Sequence, residues 1–247
     1  MNYISQYDLI KTISKNDGEY LNHDQLLSTV DRNKIFRKIN KINPGLIKHQ
    51  KFNITEAPVE EKNWSLLKQK EKNKILRLNE KIKKSLKLDK VIKILLKYKS
   101  IYPNVPVIYN YLGIVYERTN QTKKYYDTLI ETTEKFPDYL FGKISLSEYY
   151  LNNNMYNKIS DLFDKKFEIT QHFPMETDVF HISAVRGFYY VIGRYFAQIE
   201  KIEWAYKSYF LLSDLDSTHE TTEVLGQEIL AYELREFKKT LGKREKI

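Results

Sequence analysis

The side chains in this sequence that could do acid–base or metal chemistry stand apart from one another. The five histidines occur singly, at His23, His49, His172, His181 and His219. A catalytic or metal site needs several such groups converging on one point. One grouping, of Glu168, His172, Asp178 and His181, converges only if the loop between them folds back. An enzyme with its site in this loop is therefore the weakest of three functional hypotheses.

The best local cluster of oxygen and nitrogen side chains is Asp214, Asp216, His219 and Glu220, but its spacing matches no metal-binding motif. Asp, Ser and Thr are typical of helix N-caps and turns, so we interpret this group as a connection between helices. The sequence has 0 cysteines, which excludes thiol catalysis and cysteine-ligated metals. It also lacks the glycine-rich phosphate-binding and nucleophile-elbow motifs. We predict a protein without catalytic residues, cofactor or metal.

The net charge of +9 is unevenly distributed along the chain. Residues 1–100 hold 23 Lys and Arg against 11 Asp and Glu, a balance of +12, whereas residues 101–247 hold 18 against 21, a balance of −3. The stretch Lys62–Lys99 alone holds 14 basic and 3 acidic residues, a balance of +11. Such a stretch can contact phosphates, so a nucleic-acid-associated protein with weak, sequence-independent binding is the second hypothesis.

The sequence shows no signal for a membrane. No basic segment followed by an apolar one opens the chain, and no window approaches 18 uncharged apolar residues. We therefore expect a cytoplasmic protein without a membrane partner. With only 8 Gly and 6 Pro, the composition favours helices over a sandwich or barrel.

The elements that must position any site follow a repeat of 34 residues. This spacing joins Leu78, Leu112 and Leu146, then Ile82, Tyr116 and Tyr150, then Leu95, Leu129 and Phe163, and also Pro103 and Pro137. In the clearest copy, residues 106–139, one helical stripe consists of Tyr109, Leu112, Gly113 and Tyr116. The facing stripe of a second helix consists of Tyr125, Leu129 and Thr132, and Pro137 ends that helix. We expect Gly113 to permit a close approach of the two helices.

An aromatic-x2-Leu-Gly-x2-Tyr helix followed by a helix that ends at a proline resembles the tetratricopeptide repeat (TPR). Weaker copies fall at residues 72–105 and 140–173, and a fourth copy, with Gly193 at the glycine position, falls at 186–219. The step from Leu146 to Ile192 is 46 residues, or 34 plus 12. We therefore place an insertion near residues 167–177 and expect the next helix to begin at about Thr177.

The resemblance implies an all-α fold, specifically a right-handed α-α superhelix. We expect an N-terminal helical extension and linker over residues 1–61, with a helix at His23–Asn40. A TPR-like array of about four helix pairs follows over 62–219. The remaining residues, 220–247, form a C-terminal capping helix and a basic tail.

In a TPR-like stack, the first helix of each pair lines a concave groove. The positions opposite the packing stripe are Val107, Asn110, Ile114, Glu117 and Arg118 in the second copy, Phe141, Ile144 and Glu148 in the third, and Tyr190 and Arg194 in the fourth. Apolar residues on a face that is expected to be exposed to solvent indicate partner binding, unless the N-terminal segment covers them. The leading hypothesis is a non-catalytic scaffold or adaptor that binds a protein or peptide there.

The first copy argues against one familiar kind of partner. TPR modules that hold acidic chaperone tails have Lys and Asn in the groove, where this chain has Leu76 and Glu80. Aromatic doublets could instead stack on nucleic-acid bases. We expect most of these rings in the core, with Tyr126, Tyr149 and Tyr190 left at the surface.

Overall fold

The computed structural model describes residues 52–56, 63–84, 88–172 and 179–244. The predicted helix at His23–Asn40, and with it most of the 1–61 extension, lies outside the described residues. The chain divides into two compact units, whose described parts are residues 52–188, here the amino-terminal unit, and residues 189–244, here the carboxy-terminal unit. The division falls inside one helix, within the range 62–219 that the sequence assigns to one array.

Nine α-helices make up most of the described residues, which confirms the all-α class. They are α1 Gln69–Lys84, α2 Asp89–Ile101, α3 Pro106–Arg118, α4 Thr122–Lys135, α5 Leu140–Asn152, α6 Asn157–Leu162, α7 Ile182–Gln198, α8 Ile202–Asp216 and α9 Glu220–Arg244. Two strands, β1 Asn53–Thr55 and β2 Val179–His181, and 3-10 helices at Trp64–Leu66 and Ile169–His172 complete the described elements. None of the helices in these ranges is long and apolar enough to cross a membrane.

The helices occur in pairs at the predicted repeat positions. Pro106 begins α3, where its missing N–H costs no hydrogen bond. The predicted stripe of α3 is buried, with Tyr109 and Leu112 each 1% exposed. The Tyr109 hydroxyl donates to the Pro103 carbonyl at 2.8 Å, which ties α3 to the turn before it.

Three connections within the pairs end on the same backbone motif. Asn120, Asn154 and Glu200 have φ of 56°, 57° and 61°, each two residues beyond the end of its helix. The next N–H along the chain donates back into the helix, from Gln121 to Tyr116 at 2.9 Å and from Met155 to Tyr150 at 2.8 Å. The third is the bond from Lys201 to Phe196, at 2.9 Å. These are Schellman caps, and they satisfy carbonyls that a helix end leaves unpaired.

The inserted region differs from the prediction. We expected a helix from about Thr177, but α7 begins at Ile182, after strand β2. Strand β2 pairs in parallel with β1, with Ile54 opposite Phe180, and Phe180 is 4% exposed with its ring 5.5 Å from that of Phe52. Over residues 179–181 the strand stands where the helix was expected, with Phe180 as its buried residue.

The predicted C-terminal helix is present as α9, which packs against α8. Its buried face includes Leu225 and Ile229, which are 0% and 1% exposed. Glu233 is 5% exposed, and its carboxylate lies against the hydroxyl of Tyr206 from α8. Burial is the main reason that the pKa of Tyr206 is raised, and the nearby Glu233 charge adds to it.

Candidate protein-binding surfaces

The predicted groove residues of α3 are only partly open to solvent. Val107, Asn110 and Ile114 are half-buried, and the two apolar side chains pack against the core around α1–α3. Glu117 and Arg118 are exposed at the end of the helix. The face therefore presents apolar edges, one amide and two charges.

Two of the predicted acidic residues converge on one tyrosine. The Tyr125 hydroxyl of α4 hydrogen-bonds the Glu117 side chain, and the Glu148 carboxylate of α5 lies near the same hydroxyl. Burial and these two carboxylates raise the pKa of Tyr125 well above its usual range. The ring of Tyr149 lies 5.9 Å from that of Tyr125. The two carboxylates of the predicted face thus lie at the hydroxyl of a tyrosine of α4, a helix that contributes no residue to that face.

The structure differs from the expectation at Ile144. Its side chain is 6% exposed, and a β-carbon placed on Gly187 of α7 would lie 3.2 Å from two of its atoms. The next first helix in the chain therefore covers this position, which leaves little surface for a partner. Phe141, one turn earlier, is half-buried beside the ring of Tyr139 at 5.9 Å.

In the carboxy-terminal unit, Tyr190 and Arg194 bind to each other and to α9. The Arg194 Nε donates to Glu228 Oε1 at 2.8 Å, and its guanidinium carbon lies 5.2 Å from the centre of the Tyr190 ring. The side chains of Arg194 and Glu228 are 15% and 21% exposed. Tyr190 and Arg194, both predicted groove residues, therefore form an internal network with Glu228. Glu228 lies in α9, for which the sequence analysis predicted only a capping role.

The basic stretch Lys62–Lys99 lies mainly on α1 and α2. Its last residue is structural, because Lys99 pairs with Glu131 and lies 4.7 Å from the centre of the Tyr109 ring. Five of the eight exposed large apolar side chains among the described residues also fall here or at its edges: Leu66, Leu76, Ile94, Leu96 and Ile101. Sequence analysis missed this mixture, although isoleucines spaced by seven on a lysine-rich helix were a visible signal.

The described histidines have structural partners. The His172 Nε2 lies 2.8 Å from the Lys166 carbonyl, and its ring lies 5.4 Å from the rings of Phe163 and Phe188. Burial lowers the pKa of His172. His181 Nδ1 accepts the Ser183 N–H at 3.1 Å as α7 begins. Asp178 lies outside the described residues. Among the residues that the structure describes, no group of three or more His, Cys, Asp or Glu side chains could hold a metal.

The group around Asp216 forms a turn, as the sequence predicted. Asp216 Oδ1 accepts the Thr218 N–H at 3.1 Å and the Thr218 hydroxyl at 2.9 Å, just before α9 begins. Of the tyrosines expected at the surface, Tyr126 and Tyr149 stack on each other at 4.7 Å. Mutual stacking leaves both half-buried rather than presented to a partner.

No family model, curated protein or solved structure matches this chain.

Proposed function

We propose that this chain is a non-catalytic, TPR-like helical-repeat protein that binds a protein or peptide partner along the first helices of its pairs. The recurrent Schellman caps support the repeat, because Asn120 and Asn154 stand 34 residues apart with the same left-handed backbone. A recurring cap repeats the angle between paired helices, and repeated angles produce a continuous face.

The observation that carries the proposal is a gradient of exposure along one register of this face. Leu76 on α1, Asn110 on α3 and Ile144 on α5 are equivalent, at intervals of 34. Leu76 is 50% exposed, Asn110 is half-buried and Ile144 is 6% exposed. The face is therefore most open at α1, partly open at α3, which packs against α1, and closed at α5. An exposed leucine at the open end can contact the apolar side chains of a helix or peptide that lies along the face.

The partner would lie along α1 and α3. Leu76, Val107 and Ile114 would supply apolar contacts, while Glu80, Glu117 and Arg118 would set its orientation. Asn110 would hydrogen-bond its backbone or a polar side chain. Phe141 and Glu148 would border the closed end, and Ile144, Tyr190 and Arg194 would act as structural residues instead.

The test is affinity capture from cells that make the protein, with the tagged full chain. The groove variant combines Leu76→Ser with Asn110→Ala, and the matched control is Leu96→Ser, since Leu96 is 44% exposed on α2. We expect a partner whose affinity, measured by titration of the purified pair, falls at least about tenfold in the groove variant. The control should lose less than about twofold. Equal binding by the groove variant and the control would refute the proposal.

A further inference from the structure

A second exposed face runs along α2. Lys90, Ile94, Lys97 and Ile101 follow one another at i, i+4, i+7 and i+11, so they form one stripe, here the α2 stripe. Ile94 and Ile101 are 38% and 51% exposed, whereas Val91 and Leu95 on the inner side of the helix are 5% and 0% exposed. An α-helix rises about 1.5 Å per residue, so the stripe is about 16 Å long, which corresponds to about three helical turns.

The charge of the α2 stripe is uncompensated within the described residues. No ion pair there involves Lys90 or Lys97, and both side chains are exposed. The acidic residues of the neighbouring helix α1 already have basic partners, with Glu71 bonded to Lys74 and Glu80 bonded to Lys83, each at 3.3 Å.

The edge of the stripe lies beside an ion pair of α1. Tyr98, one residue beyond Lys97, hydrogen-bonds Glu71, and this contact brings the Glu71–Lys74 pair of α1 next to α2. The face consequently combines apolar and basic groups. The two acidic residues of α1 are paired with lysines, and Asp89, at the start of α2, is the one acidic residue of the helix that carries the stripe.

Two occupants other than a protein fit this face poorly. Phosphates would pair with the lysines but would leave the isoleucines without an apolar contact, and single-stranded nucleic acid prefers aromatic platforms. A helix that lies in a membrane surface separates its apolar face from its lysines. In the α2 stripe, lysines and isoleucines alternate. Burying the isoleucines in lipid would therefore also bury the charged lysines.

The chain's own predicted N-terminal helix also has the wrong charge. Residues 23–40 hold four basic residues, Arg32, Lys34, Arg37 and Lys38, against Asp24 and Asp31, a balance of +2. Two like-charged surfaces repel, so this segment does not complement the α2 stripe.

We infer that the α2 stripe is a docking site for an acidic amphipathic helix of another protein. Apolar side chains of that helix cover Ile94 and Ile101, and its carboxylates pair with Lys90 and Lys97. Apolar contact supplies affinity, while the lysines fix the orientation and speed the encounter. This surface and its partner are independent of the groove on α1 and α3.

The probe is a synthetic helical peptide of about 18 residues, with leucines on one face and glutamates flanking them. Its matched control carries lysine in place of every glutamate. Binding of the fluorescently labelled peptides to the full chain is followed by anisotropy. The protein variants are Ile94→Ser with Ile101→Ser, and Lys97→Glu. Their controls are Leu96→Ser on another side of α2 and Lys123→Glu, at an exposed position of α4. Circular dichroism checks that each variant keeps its helix content.

We expect the acidic peptide to bind and the lysine peptide not to. The double isoleucine variant should bind at least about tenfold more weakly, while Leu96→Ser changes the affinity less than about twofold. Lys97→Glu should weaken binding about fivefold or more, unlike Lys123→Glu.

Three results would overturn the inference. The first is no binding of the acidic peptide at about 1 mM. The second is an equal loss of affinity in Leu96→Ser and in the double isoleucine variant. The third is tighter binding of a polyuridine RNA, or of phosphatidylserine vesicles, that the isoleucine substitutions leave unchanged.

Discussion

Two glycines at the same register of the repeat lie in very different surroundings. A β-carbon on Gly113 of the amino-terminal unit would lie 3.7 Å from Leu129 Cδ2, an ordinary van der Waals contact. On Gly193 of the carboxy-terminal unit it would lie 2.5 Å from Leu225 Cδ2 and 2.8 Å from Ser208 Cβ. We expected close helix approach at Gly113, and the structure places it at Gly193. The repeat motif predicts where the helices cross, but the distance between them differs from one crossing to the other: at Gly193 both α8 and α9 come close.

The largest expected effect tests that contrast directly. Gly193→Ala should lower the free energy of unfolding by about 1–3 kcal/mol, through overpacking. The Leu225 side chain can rotate away, but Ser208 Cβ is fixed to the backbone of α8, so the clash persists. Urea unfolding of the full chain measures the change. An unchanged midpoint would show that α8 and α9 are not packed on Gly193 as described.

A second pair of substitutions compares ion pairs in the two units. Arg194→Met should cost about 1–3 kcal/mol, because it leaves Glu228 largely buried without its cation. Glu228 Oε2 already has no hydrogen-bond partner among the described residues. Lys99→Met should cost less than about 1 kcal/mol, since Lys99 and Glu131 are 25% and 44% exposed and water screens the pair. Equal losses in urea unfolding would contradict the difference in burial.

The Schellman caps provide a smaller test. Glu200 has φ of 61°, a conformation that costs an ordinary L-residue energy and that glycine adopts readily. Glu200→Gly should therefore raise stability by about 0.5–1 kcal/mol. Asn120→Gly, at the equivalent cap, should change it by only a few tenths of a kcal/mol, since asparagine tolerates this backbone. Thermal melts would compare the stability gained by the two variants. A larger gain in Asn120→Gly than in Glu200→Gly would argue against the shared cap.

A change of similar size is expected at the first glycine. Gly113→Ala should raise stability by about 0.5–1 kcal/mol, because alanine has the higher helix propensity and its methyl group fits beside Leu129 and Tyr125. Gly193→Ala has the same propensity gain, so the difference between the two variants isolates packing. A loss of stability in Gly113→Ala would remove the distinction between the two crossings.

Local pattern explains what could be predicted from the sequence. Tyr109 and Leu112 recur at helical spacing, and that spacing alone predicts the side of α3 that is buried. The 34-residue interval likewise predicts where α3 and α5 end, since Asn120 and Asn154 stand 34 residues apart with the same cap. These features depend on residues that are neighbours in the chain.

The features that could not be predicted from the sequence depend on contacts between residues far apart in the chain. Ile144 is buried because Gly187 has no side chain at the position where α7 crosses it. Arg194 finds Glu228 on a helix that begins at Glu220. The residues next to Ile144 and Arg194 in the sequence do not indicate that Gly187 and Glu228 will contact them. The candidate site changed accordingly, since Ile144, Tyr190 and Arg194 proved to be held internally, and the exposed face of α2 was not foreseen.

The short parallel ladder between β1 and β2 has a consequence for how the chain folds as it is made. On the ribosome, residues 53–55 emerge before all six helices α1–α6, whereas their partners at 179–181 emerge after them. Closing a loop of that length in an unstructured chain costs about 4 kcal/mol of entropy, more than three residue pairs are expected to offset. We therefore expect the helices to form first and to bring the two strands together. The ladder is a late event of biosynthesis, and it records that the segments on both sides of the helices have been made.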